Sequence, residues 1–269
     1  MSRTLTTVSR CAAFGLLLSA LPDPAFAAGL PDAAKLFRRA IERAQNLADD
    51  AAAPVYLFDK RTTIATLDSK GKVTQRKIKL FEVTMTGGVP EERLVALEGK
   101  KLSAKEIARE QEKSSRWRRK FEQADDQSKR RSFVPADMVA KFEFGYLRAE
   151  DVNDRPNHVI SFKPRSPAVE ASSFGDRIVN QLSGTMWFDA ADSEITRVEV
   201  RLGEKVNLWA GLLGALYKFE FKLDRRRSSE GVWYNQDADI SLDARGLLKR
   251  LRMHIVERSS NFRRAPKVP

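Results

Sequence analysis

Leu30, Ala34, Phe37, Ile41, Ala44, Ala48 and Ala51 recur every three or four positions, with Lys35, Arg38, Arg39, Glu42 and Arg43 between them. That spacing predicts an amphipathic helix over roughly 31–52. Pro54 ends it, because the residue before a proline is pushed out of the helical region. The period then shortens. Val55–Leu67 (VYLFDKRTTIATL) is rich in β-branched and aromatic residues, 68–71 (DSKG) supplies a turn, and Val73–Thr86 reads as the return strand. A second turn at 87–90 (GGVP) leads to a third strand over 93–98, a meander whose short connections require antiparallel pairing.

From Leu102 to about Gln127 the residues favour helix, and Ser103 with Glu106 forms a capping-box start. The large apolar residues of this stretch are Leu102, Ile107, Trp117 and Phe121, a thin stripe that suits a charged helix lying across another element as a lid. Strand patterning resumes with Phe142, Phe144 and Tyr146, turns at 153–156 into 158–163, and continues through a loop at 164–174. A hairpin over 185–190 and 194–202 follows, then the apolar stretch 206–221 and strands at 232–242 and 248–260. Nine or ten strands and two substantial helices result, with no internal repeat and no low-complexity linker. The expected class is α+β: one domain over 28–269, built on a strongly curved antiparallel sheet. Two helices cannot cover so large a sheet if it is flat, so an unclosed β-barrel with a helical lid over a hydrophobic cavity is expected.

Composition narrows the function. The 269 residues carry 48 Lys+Arg against 36 Asp+Glu, a net charge of +12, with one cysteine and two histidines. A cysteine zinc cluster, a disulfide framework and a multi-histidine metal centre are therefore excluded, and no metal or cofactor is expected. Residues 1–27 have the layout of an export signal: Arg3 and Arg10, an apolar run over 11–21, and Ala25-Phe26-Ala27 before the cleavage point. An exported chain makes nucleic acid an unsuitable partner for the positive charge.

The histidines, His158 and His254, stand among apolar residues in predicted strands with no G-x-S-x-G elbow, which favours structural roles over catalysis. Asp189, Asp192 and Glu194 crowd one turn but miss the calcium-loop spacing and its glycine. Gly87-Gly88 and the Gly211/Gly214 pair lack phosphate-loop context. No catalytic residue is assigned. What remains is apolar surface. Phe142, Phe144, Tyr146, Phe162, Trp187, Phe219 and Phe221 are expected to line the concave side of the sheet, joined by Trp209, Leu212 and Leu213 from the segment 206–217, a candidate core run, cavity plug or membrane contact.

This layout, with the hairpin 184–199 (GTMWFDAADSEITRVE) and the segments Gly211–Gly214 and Gly231–Tyr234, resembles the outer-membrane lipoprotein-sorting family, the LolA/LolB-like fold that includes the amino-terminal domain of RseB-type periplasmic regulators. The resemblance implies an unclosed barrel with a helical lid and binding of lipid or lipoprotein acyl chains. It also implies an arginine that holds the lid, for which Arg38, Arg39 and Arg43 are the candidates. Charge is concentrated in 99–132, with twelve basic against six acidic residues, and in 218–269, with thirteen against seven. Arg116, Arg118, Arg119 and Lys120 around the lid residues Trp117 and Phe121, and Arg225, Arg226 and Arg227, are candidates to face an anionic membrane. The expected function is that of a periplasmic carrier or chaperone for acyl chains; the alternative is an envelope-stress sensor that contacts an envelope protein through the same fold. Neither performs catalysis.

Overall fold

The computed structural model describes residues 31–266 except 51, 111, 113–137, 169, 172–173, 209–213 and 247–248. Helix α1 (Ala33–Asp49) starts where Asp32 accepts hydrogen bonds from the backbone N–H groups of Ala34 (2.9 Å) and Lys35 (3.1 Å), which satisfies donors that the first turn leaves free. Its buried face is Ala33, Leu36, Phe37, Ala40 and Ile41. A second helix, α2 (104–110), carries the expected capping box: Glu106 accepts from the Ser103 backbone N–H at 2.8 Å and from its hydroxyl at 2.7 Å. These bonds hold the Glu106 carboxyl below its ordinary pKa. Two short helices that the sequence pattern does not announce, α3 (Met138–Lys141) and α4 (Phe174–Val179), complete the set among the described residues.

The strands are β1 (Val55–Leu67), β2 (Val73–Thr86), β3 (Val89–Leu97), β4 (Lys100–Lys101), β5 (Phe142–Val152), β6 (Arg155–Pro164), β7 (Leu182–Asp189), β8 (Ile195–Leu202), β9 (Val206–Leu208), β10 (Gly214–Arg227), β11 (Trp233–Gly246) and β12 (Lys249–Arg264). They form one sheet in the order β4-β3-β2-β1-β12-β11-β10-β8-β7-β6-β5, with β9 paired beside β10. Every pairing is antiparallel. The two ends of that order are not paired with each other, so the sheet is an unclosed one. Twelve strands among the described residues replace the nine or ten expected: Lys100–Lys101 pairs as a short extra strand, and the stretch 206–221 contributes two strands, β9 and β10. Pro90 sits inside β3, opposite Met85, and not in the preceding turn; β3 is joined along most of its length to β2 alone, so the missing N–H faces no neighbour. Between β5 and β6, Asn153 (φ 51°) and Asp154 (φ 59°) make a two-residue turn of the kind that matches strand twist.

Helix α1 spans the opening of the sheet. Its apolar face packs on Phe142, Ile160, Phe162, Met186, Phe188, Val198, Leu223 and Ala238, which come from β5 to β8, β10 and β11. Its other end meets the far side of the sheet at the β2–β3 turn. Gly87 there has φ 58°, and a methyl group in place of its hydrogen would overlap the Leu47 carbonyl oxygen. One helix thus touches both flanks of the sheet, which fixes the curvature. A second buried cluster, Tyr56, Phe58, Val83 and Met85 with Phe262 stacked on Tyr56 (5.1 Å) and Tyr234 (4.2 Å), sits at the β1–β2 side.

Candidate functional site

Alternation along each strand places the same residues that carry α1 in continuous cross-sheet rows. One row runs Tyr146, Ile160, Met186, Val198, Leu223, Ala238, Glu257, Thr62 and Lys79. The next runs Phe144, Phe162, Gly184, Val200, Phe221, Ile240, Ile255, Ile64 and Lys77. A third contains Phe219, Leu242, Met253 and Thr66. At the β5–β8 end these rows are sealed by α1, where Ile160 and Phe188 are fully buried. Toward β12 and β1 no described helix covers them. Ile64, Phe219, Ile240, Leu242, Met253 and Ile255 are only partly buried and belong to neither buried cluster. Gly184 is a fixed point in the second row: the Phe162 ring lies against it and the Glu199 backbone carbonyl is so near that a side chain has no room.

A polar divider separates this open apolar strip from the Tyr56 cluster. Lys60 reaches Glu92 (2.6 Å) and Glu257 (3.3 Å), Thr62 donates to Glu257 (3.1 Å), and the Lys60 ammonium lies 5.1 Å from the Phe81 ring centroid.

Helix α1 is held by charge as well as packing. The turn between β7 and β8, which in sequence invites a calcium reading, is neutralised by arginines. Asp189 is bound by Arg155, Asp192 by Arg227 (2.7 Å) and the Trp233 indole N–H (2.9 Å), and Glu194 by Arg43 of α1 (2.9 Å) and Arg225 of β10 (2.7 Å). Burial alone would raise the Asp189 pKa; Arg155 and the backbone N–H groups of Asp192 and Ala191 outweigh it and keep the carboxyl below its ordinary value. Of the three arginines in the first helix, Arg43 makes this bond, while Arg38 and Arg39 are exposed. Among the described residues no set of three His, Cys, Asp or Glu is arranged to hold a metal ion.

Phe142, Phe144, Tyr146, Phe162, Phe219 and Phe221 lie on the α1 face, with Phe142 and Phe162 buried in the helix contact. Trp187 lies on the other face. Met186 and Phe188 take the inner positions, so the residue between them points outward, where it packs on Val152 and Val159, donates to Glu150 (2.6 Å) and lies under Arg197. Arg225 is not a free surface cation: it bonds Glu194, the Ile195 carbonyl and the Trp233 carbonyl, and Arg227 bonds Asp192. Arg226 is exposed. Trp117, Phe121, Arg116, Arg118, Arg119, Lys120, Trp209, Leu212 and Leu213 lie outside the described residues, as does the export signal. His254 bonds Asp239 (2.9 Å) on the outer face, and His158 packs beside Tyr146 with its Nδ1 buried and unbonded. Sequence reasoning noted Glu194 without its arginine partners and missed Lys60 and the Ile64–Ile255–Ile240 strip. The last was detectable as alternating apolar positions within strands otherwise rich in charge.

No family model and no curated protein matches the sequence. Solved structures similar to this chain include a LolA-superfamily protein from Nitrosomonas europaea (10% identity, covering 89% of this chain and 96% of that one, TM-score 0.35). They also include a putative outer-membrane lipoprotein-sorting protein domain from Vibrio parahaemolyticus (12%, 86% and 94%, TM-score 0.30) and the MucA/MucB complex of Pseudomonas aeruginosa (10%, 88% and 100%, TM-score 0.29).

Proposed function

We propose that this chain is an exported, periplasmic protein that binds the acyl chains of lipid or lipoprotein on the concave face of its sheet, as a carrier or chaperone and without covalent chemistry. One observation carries the reading: a strip of six apolar side chains from β1, β10, β11 and β12 stays partly open on the face that α1 elsewhere seals. Apolar area left open in a concavity gains free energy when an acyl chain displaces its water, at about 25 cal/mol per Å2. Phe221 borders the strip, and the arginine-held α1 forms one wall. Residues 1–27 supply the export signal in this reading, 28–269 the binding domain, and Arg226 and the basic residues of 113–137 a contact with anionic membrane.

Purification from the periplasm followed by native mass spectrometry and lipid extraction tests it. Co-purifying lipid and uptake of a fluorescent lipid are expected, with uptake lost in Ile240→Asp and retained in Arg38→Ala. A protein that is empty on isolation and takes up no lipid sinks the proposal. The second reading, a sensor that docks an envelope protein, is favoured by β5, an edge strand that among the described residues pairs with β6 alone. Recovery of an envelope protein without lipid, lost on introducing proline in β5, supports that reading instead.

A further inference from the structure

The open apolar strip has a charged end. In the row that contains Ile240, Ile255 and Ile64, the next residue across the sheet is Lys77, and in the row beside it Thr62 is followed by Lys79. Both lysines therefore share the concave face, one strand beyond the apolar residues. We propose that Lys77 and Lys79 bind the anionic head of an amphiphile whose acyl chain lies across Ile64, Ile255, Ile240 and Phe221, so that the ligand is a fatty acid or another lipid with its negative charge next to the chain. This assignment rests on the acyl-chain reading above and adds to it a polarity and a headgroup class.

Three observations lead there. First, Lys77 and Lys79 have no ion-pair partner among the described residues, whereas the outer face of the same sheet is filled with matched charges: Arg197 with Asp224, Lys222 with Glu199, Arg250 and Arg252 with Asp243, Arg258 with Asp237. Second, the carboxylates near the two lysines are engaged. Glu257 is held by Lys60 and Thr62, and Glu98 accepts from the Ile78 backbone N–H at 3.0 Å. Third, the geometry has an amphiphile's layout. From Lys77 on β2 to Phe221 on β10 is four strand spacings, about 19 Å, with Ile64, Ile255 and Ile240 filling the steps between. Lys79 is half-buried and Lys77 exposed, which lets the head keep contact with water while the chain leaves it.

The test compares a fluorescent long-chain fatty acid with its methyl ester, two probes that share a chain and differ in charge. Binding is measured on the wild-type protein, on Lys77→Glu/Lys79→Glu, and on Lys72→Glu/Arg76→Glu, an equal charge change in which Arg76 faces the outer side. The wild-type protein is expected to prefer the acid by about tenfold or more, since only the acid offers the two lysines a negative charge. The Lys77/Lys79 variant should lose that preference and bind the ester within about twofold of wild type, which also reports that it is folded; the Lys72/Arg76 variant should keep the preference. Equal binding of acid and ester by the wild type, or an acid preference that survives Lys77→Glu/Lys79→Glu, overturns the headgroup assignment and leaves acyl-chain binding standing. If neither probe binds the wild type, the acyl-chain reading falls and this one with it.

Discussion

The two flanks of the sheet follow the same alternation, yet one is a closed core and the other an open surface. Under α1, Ile160 and Phe188 have no exposure and Met186, Val198 and Leu223 are buried beside them. Four to six strands away, Ile64 and Ile255 occupy equivalent inward positions and stay partly open. The strands do not differ in kind; what differs is that α1 packs on the first set and no helix among the described residues packs on the second. Inward-facing apolar character therefore marks the face of a sheet, and only the covering element decides between closed core and open surface.

Substitutions can break or sharpen that contrast. The largest effect is expected at Phe188→Ala, about 3–5 kcal/mol of stability by urea unfolding, because the side chain leaves a cavity under α1. Ile255→Ala should cost well under half of that; equal losses at the two sites would erase the contrast. Next comes Glu194→Gln, which leaves Arg43 and Arg225 without their shared carboxylate. About 2 kcal/mol is expected, less than for a fully buried pair because Arg43 is 42% exposed, and hydrogen exchange in α1 should rise. Gly87→Ala should cost about 1–2 kcal/mol through its φ of 58° and the overlap with Leu47, loosening the helix from the β2–β3 turn. Solvent protection at the end of α1 checks it.

A pH series separates the ion network from packing. The folded-state pKa of Asp189 is depressed, so its contribution to stability is complete above the unfolded value, about 4, and is lost as pH falls through the folded value. Asp189→Asn should therefore be less stable than wild type at pH 7, with the difference shrinking below about pH 4, whereas the deficit of Phe188→Ala should stay level. The smallest effect belongs to Arg226→Ala, within about 0.5 kcal/mol, beside a larger loss for its neighbour Arg225→Ala. Thermal unfolding of the two side by side distinguishes the exposed arginine from the bonded one.

The strands were legible because β-branched and aromatic residues alternate with polar ones and punctuation falls at turns such as 68–71. Face assignment was legible only where that alternation is clean. In β7, Met186, Trp187 and Phe188 are all apolar and all buried, two on one face and one on the other, so sequence alone could not place Trp187. The capping box of Ser103 and Glu106 was readable because its partners lie three residues apart. Arg43 and Glu194 are separated by 151 positions, and Lys77 meets Ile64 only once the strand register is known. Nothing local announces such pairs; they are products of topology.

The pairing of β1 with β12 has a kinetic consequence. The sheet's central seam joins the first strand to the last, closing a loop of nearly the whole domain, and such non-local closure is slow because chain entropy is lost before the contacts reward it. Until residues 249–264 have been synthesised, β1 and β11 each lack the neighbour that joins them, and the hairpins on either side remain separate. The two halves of the sheet are thereby expected to join only once residues 249–264 are available, late in the folding of the domain.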